Sequence, residues 1–382
     1  MSNRGWRALA LVLCSSAAFG VTACGSSDSG SGGGATTSGG AGSAVPAAAA
    51  AAAEKATTPA TKIAVVQAGL KPFSPKPGAK IVNISCDVSI TGCNAISNGV
   101  KAGVQALGYE YTRCDAGKTP DRATSCFTNA VNAKPDAIIV NAVGTSVAAD
   151  GYAAAKKAGI PVVGLFTGDG PGAGGAAVQV GAGGCVEQGK LMADSIAVQS
   201  KGKADILFAT ESSIGCSVAR TEGFKAELPK ACPECKVKEL KFNSATMQQS
   251  LPQQLQAELN QNPDLTWIVG VFDSAAAIAN TQVAQAGKQD QISVGGMDAD
   301  PANIEVMLKK GIQKLDVAFA FGETPWAAAD AAARIYSGED VPDSVPANIF
   351  VVNQDNTDKL PPTKVWDGPT DYQDQFKALW SK

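Results

Sequence analysis

The sequence predicts an α/β protein whose parallel sheets form in two successive halves. Short apolar runs recur along it, as at Ile81-Val82-Asn83-Ile84-Ser85, Ala137-Ile138-Ile139-Val140 and Pro161-Val162-Val163-Gly164-Leu165. Runs this continuous and this rich in β-branched residues mark strands buried on both faces. Between them lie segments with apolar residues at helical spacing, the first carrying Ile96, Val100, Val104 and Leu107. After a glycine-rich stretch the same alternation restarts. Strand–helix–strand alternation implies right-handed crossovers and a parallel sheet, with ligands at the loops leaving the strands' carboxyl ends.

The N-terminal residues stand apart from this pattern. Arg4 and Arg7 precede an apolar stretch and then small residues, so 1–23 reads as a signal peptide. Val21-Thr22-Ala23-Cys24 resembles a bacterial lipobox, which makes Cys24 the expected lipidation site and the lipid bilayer an expected partner. Residues 24–61, dominated by Gly, Ser, Ala and Thr, read as a low-complexity tether without a core, with a nascent helix near Glu54-Lys55. A Pro-interrupted lead-in, 62–78, is expected along the surface of the first half.

Strands are then expected at 80–86, 109–114, 137–142 and 161–166, with helices at 93–107, 119–133 and 145–158. The stretch Gly168 to Gly175 matches neither a P-loop nor G-x-G-x-x-G and precedes a strand at 177–180, so it reads as a flexible connection. The second half predicts helices at 184–200, 217–229, 247–260, 275–286 and 301–310, alternating with strands at 204–210, 236–242, 267–272 and 292–297. An extended run at 314–321, a helix at 326–336 and a strand at 348–352 return the chain, giving two lobes joined by several crossings. The tail, with Tyr372, Phe376, Leu379 and Trp380, is expected on the second lobe.

Composition narrows the chemistry. The chain has 382 residues, 45% hydrophobic, with 32 basic and 35 acidic side chains and no histidine. That balance excludes a basic nucleic-acid surface. The missing imidazole excludes Ser-His-Asp and Cys-His catalysis and any zinc site using histidine. Neither a G-x-S-x-G motif nor a metal-ligand cluster is present, so no enzyme activity, cofactor or metal is expected. Apart from Cys14 and Cys24, eight cysteines remain: Cys86, Cys93, Cys114, Cys126, Cys185, Cys216, Cys232 and Cys235. An even count in an exported chain argues for disulfides. Proximity favours 86–93, 114–126, 185–216 and 232–235, although the sequence leaves the connectivity open. Cys232-Pro233-Glu234-Cys235 follows a helix instead of opening one, which argues for a bridge over a redox pair.

Several short stretches resemble the type I periplasmic sugar-binding proteins, the ribose-binding-like branch of ABC-transporter substrate receptors. They are Ala106-Leu107-Gly108-Tyr109, Lys134-Pro135-Asp136-Ala137, Ala158-Gly159-Ile160-Pro161, Arg220-Thr221-Glu222-Gly223-Phe224, Asn262-Pro263-Asp264, Val294-Gly295-Gly296-Met297-Asp298 and Tyr336-Ser337-Gly338-Glu339. The resemblance implies two doubly wound, Rossmann-like lobes joined by a three-crossing hinge. The first would be 79–182 plus 320–345, the second 183–319 plus 346–382, with hinges near Gly181, Phe319 and Ala347. The same fold serves LacI-type repressors, but no helix-turn-helix precedes the first strand.

The resemblance also implies site residues. From the first lobe it gives Ser89, Ile90, Gly92 and Cys93, and then Thr145 beside Gly144, where the family has an aspartate. Asn141 either faces the pocket or caps a helix. From the second lobe it gives Ser217 or Val218, Thr246 and Met247, Phe272, Asp273 and Asp298, with Phe319 at a hinge. Asp298 would accept hydroxyl hydrogen bonds, unless it caps the helix that Pro301 opens. Arg220 reads as either structural or ligand-facing. Apolar residues at Ile90, Phe272 and Phe319 imply a ligand less hydroxylated than a pentose or hexose. The function implied is a lipid-anchored extracytoplasmic receptor that passes a sugar, polyol or less polar carbon source to an ABC permease, or alternatively a sensory module feeding a membrane signalling protein.

Overall fold

The computed structural model describes residues 45–117, 119–361 and 363–381. The expected signal peptide, the expected lipidation site Cys24 and the tether up to residue 44 lie outside the described residues. The chain enters through two helices, α1 (Ala47–Ala56) and the single turn α2 (Ala64–Gln67). The first lobe follows as β1 (Lys80–Ser85), α3 (Thr91–Ala106), β2 (Glu110–Asp115), α4 (Pro120–Ala133), β3 (Ala137–Asn141), α5 (Thr145–Lys157), β4 (Val162–Leu165) and β5 (Val178–Val180). The second lobe runs α6 (Gly184–Gln199), β6 (Asp205–Glu211), α7 (Gly215–Ala231), β7 (Lys236–Phe242), α8 (Met247–Gln261), β8 (Trp267–Gly270), α9 (Asp273–Gln285), β9 (Ser293–Met297), α10 (Pro301–Leu308) and β10 (Gln313–Phe319). Then α11 (Glu323–Ser337) and β11 (Ser344–Val345) rejoin the first lobe, β12 (Ile349–Asn353) the second, and α12 (Tyr372–Leu379) closes the chain.

Each lobe has a six-stranded sheet, ordered β11-β5-β4-β3-β1-β2 and β12-β10-β9-β8-β6-β7. All pairings are parallel except β10 with β12. The central strands β3, β4 and β8 are buried at every residue, as their unbroken apolar runs require. Local chemistry sets the boundaries: Thr119 caps α4 by accepting the Arg122 N–H, with Pro120 in the first turn. Gly338, at φ 75°, ends α11 in the left-handed conformation that glycine adopts without strain. The cysteines bond as 86–93, 114–126, 185–216 and 232–235.

Three segments depart from the sequence expectation. The tether was expected to hold no core, yet α1 packs on α6 and buries Ala49 and Ala53 against the second lobe. Alanine has the highest helix propensity, and a small-residue face lets two helices approach closely. The lead-in does more than lie along a surface: Ile63, Val65 and Phe73 are fully buried in the first lobe's core. The tail packs on the first lobe, not the second, because Phe376 and Trp380 stack against Trp326 of α11 and the Trp380 indole N–H bonds Asp330.

The lobes are therefore linked by more than the three crossings at 181–183, 320–322 and 346–348. Residues 57–63 and 367–371 also pass between them. Glu323, fully buried, gathers four of these five passes. Its carboxylate accepts from the Ala64 N–H and the Asn348 side chain, and its N–H donates to Asp367 O at 2.8 Å. Phe376→Ala should lower the unfolding free energy by about 3–5 kcal/mol, the usual loss for a buried phenylalanine. Denaturant titration checks this, and a loss near zero would show that the tail is not core.

Candidate ligand-binding site between the lobes

The carboxyl ends of both sheets face one cleft. The loop after β1 and the start of α3 bring Ile90, Gly92, Cys93 and Ile96; the ends of β3 and β4 bring Ala142 and Phe166. The second lobe contributes Ile214, Cys216, Ser217 and Arg220 from α7 and its lead, Phe272 after β8, and Asp298 after β9. Phe319 and Phe321 form the wall at the hinge. Together they bound one pocket. Phe166 packs on Phe319 with ring centroids 4.3 Å apart, and Phe321 meets Phe166 edge-on at 6.1 Å.

One ion pair supplies most of the pocket's polarity. The Arg220 guanidinium binds Asp298 Oδ1, donates from Nε to Gln188 Oε1 at 2.7 Å and from Nη1 to Val271 O at 2.9 Å, and sits 5.7 Å from the Phe319 ring centre. Burial pushes the Asp298 carboxyl up, while Arg220 pulls it back toward the charged form.

Behind Asp298 lies a buried carboxylate cluster. Asp316 Oδ1 accepts the Ala299 N–H at 3.0 Å, Asp273 Oδ2 accepts the Asp300 N–H, and Gln313 bridges Asp316 to Asn303 and Asn280. A side chain at Gly296 would strike Asp273 and Asp316, so only glycine admits the cluster there. These acids hold a turn in which Asp298 (φ 122°) and Ala299 (φ 57°) both adopt left-handed conformations. Ala142 and Phe166, also at strand ends in the pocket, do the same at φ 55° and 51°. Backbone strain of this kind persists only where surrounding structure imposes it, and it collects at functional sites.

The lobes touch directly. The Thr91 side chain at the head of α3 comes up to Asp300. At Gly215 an added side chain would strike Thr167 O, and at Gly168 it would strike Gly215 O. Gly168, expected in a flexible connection, is thus a backbone-to-backbone contact between lobes.

A family model described as the periplasmic binding protein domain matches residues 81–340. The chain belongs to the periplasmic binding protein family. Its members are binding proteins, not enzymes. Among solved structures the fold is shared with an ABC transporter solute-binding protein from Agrobacterium vitis with bound allitol (21% identity, 74% of this chain and 97% of that one, TM-score 0.68). It is also shared with a 5-methylthioribose transporter solute-binding protein from Thermotoga lettingae (16%, 81% and 96%, TM-score 0.68). A third, from Mycobacterium smegmatis, holds glycerol (22%, 75% and 99%, TM-score 0.66). No curated protein sequence matches the chain.

In this binding protein four of the residues inferred from the resemblance, Ile90, Phe272, Asp298 and Phe319, meet in the pocket, with Gly92, Cys93 and Ser217 beside them. Asp298 does not cap the following helix; Asp300 holds that position. The others lie elsewhere. Ser89 bonds Asp87, Thr145 bonds Asp169, and Thr246 is exposed at the head of α8, where Met247 turns into the core. Asn141 points back to Cys93 O beneath the pocket, and Asp273 sits in the cluster behind it. Arg220, Phe166, Phe321, Ile96, Ala142, Ile214 and Cys216 complete the lining without having been assigned to it. Of these only Arg220 carried a signal, its match to a family arginine read as either structural or ligand-facing. Among the described residues, no group of acids and cysteines could hold a metal ion.

Two outcomes follow from this geometry. Asp300 is pushed up to about 8 and Asp316 to about 7, burial being the largest cause in each and neighbouring carboxylates adding to it. Their ordinary value is 3.8, so between those limits the folded state binds more protons than the unfolded chain and stability falls as pH rises. The thermal midpoint should drop from pH 5 to pH 8, and Asp316→Asn should flatten the slope; an unchanged slope would remove Asp316 as its source. Gly215→Ala should leave the separate lobes folded but hold them apart. Small-angle scattering should then give a larger radius of gyration than in the parent with ligand.

Proposed function

We propose that the chain is an extracytoplasmic, lipid-anchored substrate-binding protein of an ABC importer. It captures a small ligand, a sugar, polyol or similar carbon source, between its lobes and delivers it to a membrane permease. The observation that carries this reading is the pocket itself: both lobes and the hinge contribute its walls, so an occupant is enclosed only when the lobes close. The related folds belong to proteins described as ABC transporter solute-binding proteins, with allitol, glycerol or 5-methylthioribose among their ligands. The lipobox-like Val21-Thr22-Ala23-Cys24 supports anchoring.

Mass spectrometry of whatever co-purifies with the native protein tests the reading first. A bound ligand should raise stability by about 2.7 kcal/mol at a hundredfold excess over Kd. A broad panel of sugars, polyols and small alcohols that leaves the thermal midpoint unmoved would refute capture. Asp298→Ala is a poor probe, since stranding the buried Arg220 charge costs about 3–5 kcal/mol. Asp298→Asn keeps the shape and should weaken binding roughly tenfold or more through loss of a charge-assisted bond. Cys24→Ala should release the protein from membranes to the soluble fraction.

A further inference from the structure

We propose that the ligand of the interlobe pocket has an apolar body and one hydroxyl-bearing end, and is not a polyhydroxylated sugar. This rests on the receptor reading above and narrows its ligand.

The argument is one of hydrogen-bond supply. Among the fourteen residues lining the pocket, only Ser217, Arg220 and Asp298 have polar side chains. The Arg220 guanidinium commits each of its three nitrogens, to Gln188, Val271 O and Asp298, and keeps two of its five N–H groups. The strongest acceptor still open lies against one wall. Asp298 Oδ2 points toward Gly92, where an added side-chain carbon would sit 3.5 Å from it. Gly92 lies in the first turn of α3, and the Ile90 side chain makes no capping bond there, which leaves first-turn N–H groups for an incoming oxygen. A single hydroxyl can donate to Asp298 Oδ2 and accept from that turn. The rest of the wall is Ile90, Ile96, Phe166, Phe272 and Phe319 with their apolar neighbours. A ring sugar carries a hydroxyl on nearly every carbon, and each one buried there without a partner weakens binding roughly tenfold or more.

The cleft does contain hydroxyl side chains, but they lie elsewhere. Asp87, Thr119, Ser146, Ser212, Ser213 and Ser244 line an adjoining chamber, and Ile90, Ala142 and Ile214 border both spaces. The pocket that holds the buried ion pair is the apolar one.

Calorimetry on the full chain, freed of endogenous ligand by unfolding and refolding, tests this with cyclohexanol and benzyl alcohol against ribose, allitol, myo-inositol and benzoate. The alcohols should bind at least about tenfold more tightly than any sugar or polyol. Phe272→Asn should weaken them and narrow that gap. Ile90→Asn, at a half-buried position before α3, repeats the measurement should the first variant fail to fold. A sugar, polyol or benzoate binding more tightly than both alcohols would overturn the ligand class and leave the receptor reading intact. Should no compound bind, the ligand extracted from native protein decides: a polyhydroxylated molecule overturns the inference, and an apolar one with a single hydroxyl upholds it. No binding and no extracted ligand would overturn both readings.

Discussion

The second lobe's half of the pocket depends on one guanidinium. Arg220 reaches from α7 to Gln188 on α6, to the carbonyl of Val271 after β8 and to Asp298 after β9. It thereby ties together the ends of two strands and the heads of two helices. A buried ion pair gains little net stability, because desolvating both charges offsets their attraction. Its role is geometric. With each nitrogen of the fork engaged, the Asp298 carboxylate is held in one orientation, and its second oxygen is left facing the first lobe.

That orientation is reinforced from behind. Asp298 and Ala299 sit in a backbone region disfavoured for side chains, and Asp316 and Asp273 hold the turn by accepting the next two amide protons. Burial raises the Asp273 and Asp316 carboxyls, and the neighbouring Asp316 carboxylate raises Asp273 further. Disulfides brace the same region, Cys86–Cys93 around the first loop and Cys185–Cys216 joining the heads of α6 and α7. A site stiffened in this way loses little further entropy when it closes on a ligand.

The strands and helices were legible in the sequence because their signal is periodic and local. β3 and β4 read as continuous apolar runs, and the predicted α3, α4 and α6 fall within two residues of the observed ones. The site was half legible. Ile90, Phe272, Asp298 and Phe319 follow strand ends, and position along a strand predicts where a side chain emerges. What the sequence hides is direction. Ala142 and Phe166 enter the pocket through left-handed turns that no residue type announces. Asp273, one residue from the pocket-lining Phe272, turns inward instead. The docking of α1 was missed for a different reason: an alanine run carries almost no amphipathic contrast, so a docked helix and a solvated tether look alike.

The missed segments change how closure must work. With α1 on the second lobe and α2 on the first, residues 57–63 form a strap across the hinge, held by Asn356 to Thr57 O and by Asn348 to Lys62 O. Asn348 belongs to a hinge crossing and also bonds Glu323, which opens α11 immediately after another. Rotation about the three crossings therefore drags the strap and the tail, and Glu323 lies where four of these five passes meet. The least costly motion leaves that node fixed and separates the far contacts, Thr91 from Asp300 and Gly168 from Gly215. These contacts lie on the pocket side of the molecule, so opening there exposes Arg220 and Asp298 without disturbing the bonds that orient them.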